Sequence, residues 1–172
     1  MRKLEIAPYN PAWTNMFKNE AQALTEVLSA EIIGINHIGS TSVPNLYAKP
    51  IIDILITVKD ISKLDNYNNM LAEMGYEAMG ENGISGRRYF QKGRDDRTHH
   101  LHVYEKGNQH VHRHLAFKDY LINHPNEVED YGQLKLKLTN DNNTTIDEYI
   151  RGKNDFVQAL EERALNWHKN NN

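Results

Sequence analysis

No cysteine occurs among the 172 residues, which rules out a disulfide framework, thiolate metal sites and a cysteine nucleophile. No stretch of 18 uninterrupted apolar residues is present, so no membrane-spanning helix is expected. The opening residues 1–10 also lack the apolar run that a secretion signal needs. These absences read as a soluble, cytoplasmic protein. Positive charge is not in excess either: 20 Lys and Arg stand against 23 Asp and Glu, for a formal charge of −3. A general electrostatic grip on nucleic acid is therefore not expected. No internal repeat and no low-complexity linker divides the chain, and its length suits one domain that buries a real core. Histidine, by contrast, is abundant: six of the nine fall between His99 and His114.

Periodicity and punctuation give the elements in order. Asn10-Pro11 is a cap and first-turn pair, and Trp13, Phe17, Ala21, Leu24 and Leu28 recur at helical spacing to about Ser29. Strands are expected at Ile32–Ile38 and Ile51–Val58, the second central because it is apolar on both faces apart from Asp53. Asp60 or Ser62 can cap a helix through Met74, closed by Gly75. A short strand at Tyr76–Met79, a turn at Glu81-Asn82-Gly83, and strands Arg87–Gln91 and His99–Tyr104 around a charged hairpin loop follow. Helices then dominate. His110–His124 is stopped by Pro125, with His110 and His112 expected in its lead-in loop and His114 near the first turn; Glu127–Thr139 is next. Thr144 or Thr145 with Asp147 or Glu148 offers a capping box for a last helix reaching Trp167. The layout is α/β in the α+β sense: a small mixed sheet with flanking helices over residues 1–108, and a C-terminal helical layer over 109–172 packed on it as part of a single domain.

The densest chemical signal runs from His37 to Val58. Asp53 is a lone carboxylate among branched aliphatics, and such a group wants a cation or a hydrogen-bond donor. Upstream, Gly39-Ser40-Thr41-Ser42 follows the first strand and reads as a phosphate cradle of small residues and hydroxyls, with Lys49 near the far end of a stiff loop carrying Pro44 and Pro50. Strand alternation puts Asp53 on the face opposite Ile52, Ile54 and Ile56, and puts His100, His102 and Tyr104 opposite Leu101 and Val103. If the two strands are neighbours, Asp53, His100 and His102 share a face, a set that suits a divalent-metal ligand group or an acid–base pair. Among the basic residues Arg88 is the favoured phosphate contact, with Arg87, Lys92, Arg94 and Arg97 around it and Lys135 and Lys153 able to reach in from the helices. Alternation sets Arg88 and Phe90 opposite Arg87 and Tyr89. The other reading of these groups is plainer: Asp53 accepts loop N–H bonds and the hairpin charges are a solvated surface.

The run from His37 to Ile56 resembles the motif of the GrpB family, whose members are similar in fold to the nucleotidyltransferase superfamily. The likeness extends over Tyr9-Asn10-Pro11-Ala12-Trp13, Arg88-Tyr89-Phe90, His100-Leu101-His102-Val103, Phe117-Lys118-Asp119-Tyr120-Leu121, His124-Pro125, Tyr131 with Leu134-Lys135, and Tyr149 with Lys153. The resemblance implies a nucleotidyltransferase-like domain that binds a nucleoside triphosphate or related phosphorylated small molecule at Gly39, Ser40, Thr41, Lys49, Arg88 and Lys153. It also implies a divalent metal, Mg²⁺ or Mn²⁺ ahead of Zn²⁺, near Asp53, His100 and His102. Nucleotidyl or pyrophosphoryl transfer would then use Asp53 and His102 as catalytic residues. The pattern places a second carboxylate two residues after the first, and here that position is Leu55, which cannot ligate. The alternative is therefore a catalytically inactive ligand-sensing or scaffold domain, which could form a homo-oligomer. Family members fused to a dephospho-CoA kinase domain suggest a link to coenzyme A metabolism.

Overall fold

The computed structural model describes residues 2–171. Helix α1 (Ala12–Leu28) follows Pro11, already helical in backbone, and the Asn10 side-chain oxygen accepts the N–H of Ala12 at 2.9 Å. Strand β1 (Ile32–Ile38) leads into a single 3₁₀ turn, Ser40–Ser42, and then to β2 (Ile52–Val58). The segment expected as one helix from Asp60 to Met74 is divided: a 3₁₀ stretch, Ile61–Tyr67, precedes a short α2 (Asn68–Glu73). Asp60 caps it, accepting from both the N–H and the hydroxyl of Ser62. Next come β3 (Tyr76–Ala78), β4 (Arg87–Lys92) and β5 (His99–Glu105). The C-terminal layer is α3 (Gln109–Ile122), α4 (Pro125–Leu138) and α5 (Ile146–Asn170).

The five strands form one mixed sheet in the order β1-β2-β5-β4-β3, with β2 and β5 parallel and the other neighbours antiparallel. Period-two alternation sorts its side chains. Ile52, Ile54, Ile56, Val58, Phe90, Leu101 and Val103 face Trp13, Leu24, Leu28, Leu64 and Leu71 and make the main core with α1 and α2. Each fully buried aliphatic there contributes ~1.5–3 kcal/mol relative to exposure, so this face holds the sheet to its first helical layer. Ile38, Leu55 and Tyr104 point the other way, toward Val111 and Leu115 of α3. Val43 and Leu46 of the loop before β2 join Tyr120, Leu121, Val128, Tyr131, Leu160 and Ala164 in the core of the C-terminal helices. The helical layer is thereby fastened to the loop that precedes Asp53.

Two helix starts differ from expectation. Helix α3 begins at Gln109 and not after the histidines, because Gly107 at φ +86° turns the chain and Asn108 then accepts the N–H of His110. His110, His112 and His114 are therefore all helical. His110 and His114, four apart, lie against Tyr104, while His112 meets His168. Helix α4 begins at Pro125, a residue that suits a first turn because its missing N–H would have no partner there. Thr145 and Glu148 complete the expected capping box of α5. Among the described residues no helix is long and apolar enough to cross a membrane.

Candidate functional site

Parallel pairing of β2 with β5 sets Asp53 opposite His100 and Leu55 opposite His102. Both imidazoles lean to the same carboxylate oxygen: His102 Nε2 is 3.0 Å and His100 Nδ1 3.4 Å from Asp53 Oδ1. The far nitrogens meet arginines, His100 Nε2 at 3.2 Å from Arg97 Nη1 and His102 Nδ1 at 3.5 Å from Arg87 Nη1. Arg87 is itself buried, bound to the carbonyls of Glu81 and Asn82 and stacked over Tyr89. Burial alone would raise the Asp53 pKa, but hydrogen bonds from His100 and His102 overcome it and hold the carboxyl well below the usual carboxylate range. Burial lowers the pKa of His100, against the pull of Asp53.

Gly39 stands directly on Asp53. Its φ is +72°, and a β-carbon there would lie 2.6 Å from Asp53 Oδ2, so the position demands glycine twice over. The turn behind it is locked by its own hydroxyls. Ser42 Oγ donates to the Gly39 carbonyl at 2.6 Å, and Thr41 Oγ1 donates to the Ile51 carbonyl while accepting from His37 Nε2 at 2.9 Å. His37 stacks on Phe17, and its pKa is lowered to about 4 by burial and then by Lys118. The Thr41 hydroxyl is thus committed to loop architecture.

In front of Asp53 lies a cavity of about 130 Å³ lined by Ser40, Lys49, His100, Lys135, Tyr149 and Lys153 among others. Its three lysines come from three places: the loop before β2, α4 and α5. Lys135 is almost wholly buried and donates to Ser40 Oγ at 2.6 Å and to the Tyr47 carbonyl at 2.8 Å, with its ammonium over the Tyr131 ring. Lys49 and Lys153 both sit over the Tyr149 ring, at 5.4 and 5.1 Å. Burial, then the Lys153 charge, lowers Lys49 to about 8. Burial followed by its two neighbouring lysines takes Lys135 well below its ordinary value, and burial lowers Lys153. Such a cluster of desolvated like charges is costly until an anion enters it.

Of the residues singled out in the sequence, Gly39, Ser40, Thr41, Lys49, Asp53, His100, His102 and Lys153 come together here. Arg88 does not. It sits on the opposite face of the sheet and pairs with Asp65 at 2.9 Å, as its alternation with Arg87 requires. Arg87 and Arg97 are the arginines that reach the Asp53 cluster. Lys135, which the sequence offered with Lys153 as able to reach in from the helices, also lines the cavity, and Tyr149 is the main addition to the site. Lys135 is four residues after Tyr131 on one helical face, a lysine at a core-facing position, which was the legible signal for it. His114 also closes on the cluster, its ring 5.2 Å from that of His102 and its pKa lowered to about 3 by burial and then by Arg113. Among the described residues no three His, Asp or Glu side chains are arranged to hold a metal ion.

A family model described as "GrpB protein" matches residues 3–163. The chain is 48% identical over 171 residues to "UPF0157 protein YqkA" of Bacillus subtilis, a match that covers 99% of this chain and 50% of that protein. It therefore spans half the length of that relative. The crystal structure of the conserved protein GrpB from Enterococcus faecalis superposes with a TM-score of 0.92 at 45% identity, covering 95% of this chain and 99% of that one. A more distant likeness, 24% identity over 187 residues, joins 94% of this chain to 46% of a Mycobacterium tuberculosis protein named "Dephospho-CoA kinase".

Proposed function

The chain belongs to the GrpB family, and from that premise we propose that it binds a phosphorylated small molecule with a phosphate group in the cavity before Asp53. The observation that carries this reading is the convergence of Lys49, Lys135 and Lys153 on one enclosed space beside the Gly39-Ser40 turn. Ammonium groups are compact point charges with three donors each, suited to phosphate oxygens. The space is too small for a whole nucleotide. It adjoins a groove of about 420 Å³ that shares Lys49 and Ile51 with it and runs between residues 2–5 and the loop at 95–98. The organic part of the ligand lies in that groove. Dephospho-CoA and nucleoside triphosphates are the first ligands to try, the former because of the Mycobacterium relative's name.

Thermal unfolding tests the reading. A ligand at about 100 times its dissociation constant adds ~2.7 kcal/mol, or roughly 5 to 10 °C for a chain of this size. That shift is expected with at least one phosphorylated compound of the panel and is expected to shrink in Lys153→Met, which removes one of the three ammonium groups. A panel without a shift would overturn it.

A second reading, nucleotidyl or pyrophosphoryl transfer with Asp53 and His102 as catalytic residues, is favoured by the packing of Gly39 on Asp53. Leu55, fully buried, weighs against it. Turnover abolished in Asp53→Asn with the fold intact would support transfer, and pyrophosphate release that Asp53→Asn leaves unchanged would remove it.

A further inference from the structure

Arg97, His100, Asp53, His102 and Arg87 form one continuous row across β2, β5, β4 and the hairpin loop. We propose that this centre accepts the phosphate as a free dianion without a metal ion: the histidines act as N–H donors that hold Asp53, and the three lysines balance the charge. This rests on the phosphate reading above and deepens it by naming the charge state of the ligand.

The hydrogen bonds of this row have a fixed direction. A guanidinium has five N–H donors and no acceptor. His100 Nε2 and His102 Nδ1 each face one, so each of these nitrogens must present its lone pair outward. The proton of each ring is then on the nitrogen that faces Asp53: the His102 N–H donates to Oδ1 at 3.0 Å, and His100 Nδ1 lies 3.4 Å from the same oxygen. A metal-bound imidazole is wired the other way, with its lone pair on the metal and its second N–H given to a carboxylate or carbonyl. Ligation by either ring here would turn an N–H against a guanidinium N–H. Arg87 and Arg97 are thus positioning residues that set the histidines as donors.

Little remains for a cation. With the histidines excluded, Asp53 is a single carboxylate, and Leu55 offers no second one. Mg²⁺ requires near-octahedral oxygen ligation, which one carboxylate does not hold in place. Three ammonium groups around the same cavity oppose any cation there.

Charge favours the dianion as well. Among the ionisable groups that line the cavity itself, three lysines against one carboxylate leave two positive charges when all are ionised, and the Arg87 and Arg97 guanidiniums behind the histidines add to that positive field. A phosphate monoester above its second ionisation, near pH 6, carries two negative ones. Lys135 has two of its three N–H donors committed to Ser40 and Tyr47, which fixes the direction of the third.

Titration calorimetry with inorganic phosphate, in EDTA and again in Mg²⁺, is the test. Binding in EDTA with a dissociation constant unchanged by Mg²⁺, weakened at least about tenfold in Lys153→Met by loss of a charge-assisted hydrogen bond, is the expected result. Binding seen only with Mg²⁺ would overturn the metal-free inference and leave the phosphate site standing. No binding under either condition would overturn both. A ¹⁵N spectrum of the histidine rings gives an independent readout. It should show His102 protonated on Nε2 and His100 on Nδ1, whereas the opposite tautomers, or stoichiometric Zn²⁺ binding lost in His102→Ala, would contradict the donor assignment.

Discussion

Lys49 is the residue whose protonation reports most directly on the site. Burial and the neighbouring Lys153 lower its pKa from 10.5 to about 8, and Lys135 and Lys153 shift in the same direction. Between pH 8 and 10.5 the unfolded chain then holds more protons than the folded one, so the ligand-free protein should gain stability as pH rises through that window. Ligand binding should run the opposite way. A phosphate monoester keeps a constant charge above about pH 7, while the pocket loses positive charge, so affinity should fall by up to about tenfold per unit above pH 8 for each lysine that deprotonates. Denaturation and calorimetric titrations over pH 7.5–10.5 measure both; an affinity flat across that range would exclude the lysines as the anion's partners. At this scale Asp53 and Lys49 were legible because each interrupts an apolar or aromatic context, whereas Lys153, set among polar neighbours, was legible through the family resemblance. Arg88 was misread because residue type was weighed above strand parity, which already assigned it to the opposite face with Phe90.

The turn between β1 and β2 is the element on which the site depends. Its backbone reverses at Gly39, in a region of φ and ψ that other residues enter at a cost of ~1–3 kcal/mol. A β-carbon would in addition collide with Asp53 Oδ2. Gly39→Ala is therefore expected to lower stability by at least ~1–3 kcal/mol in urea denaturation and to weaken phosphate binding by displacing Asp53. Wild-type stability and binding in that variant would mean that the turn does not position the carboxylate. The strands and most helix limits could be read from periodicity and capping residues, since those signals are local. The start of α3 was missed because the cap, Asn108, lies between Gly107 and a run of histidines that have little helical preference of their own. The division of the 61–73 segment into a 3₁₀ stretch and α2 has no comparable signal in the sequence.

At the scale of the whole molecule, the cavity exists because two layers meet at it. The sheet supplies Asp53 and the histidines, α4 and α5 supply Lys135 and Lys153, and Val43 and Leu46 of the intervening loop are buried in the helical core that holds those helices in place. The sheet faces were legible from alternation, but the strand order β1-β2-β5-β4-β3 and the convergence of Lys49 with Lys135 and Lys153, far along the chain from it, depend on long-range packing that no local pattern encodes. The resemblance to the GrpB family pointed to Tyr131, Lys135, Tyr149 and Lys153, and the structure supplies a reason for them: they wall one cavity or pack against it. The central claim is that this cavity is a phosphate site built from lysines. Its most direct test is a crystal soaked in tungstate, a heavy tetrahedral dianion, and examined by anomalous diffraction. A peak is expected inside the cavity with the ammonium nitrogens of Lys49, Lys135 and Lys153 at about 2.7–3 Å from the oxyanion's oxygens; a cavity without a peak, beside others bound elsewhere on the molecule, would contradict the lysine phosphate site.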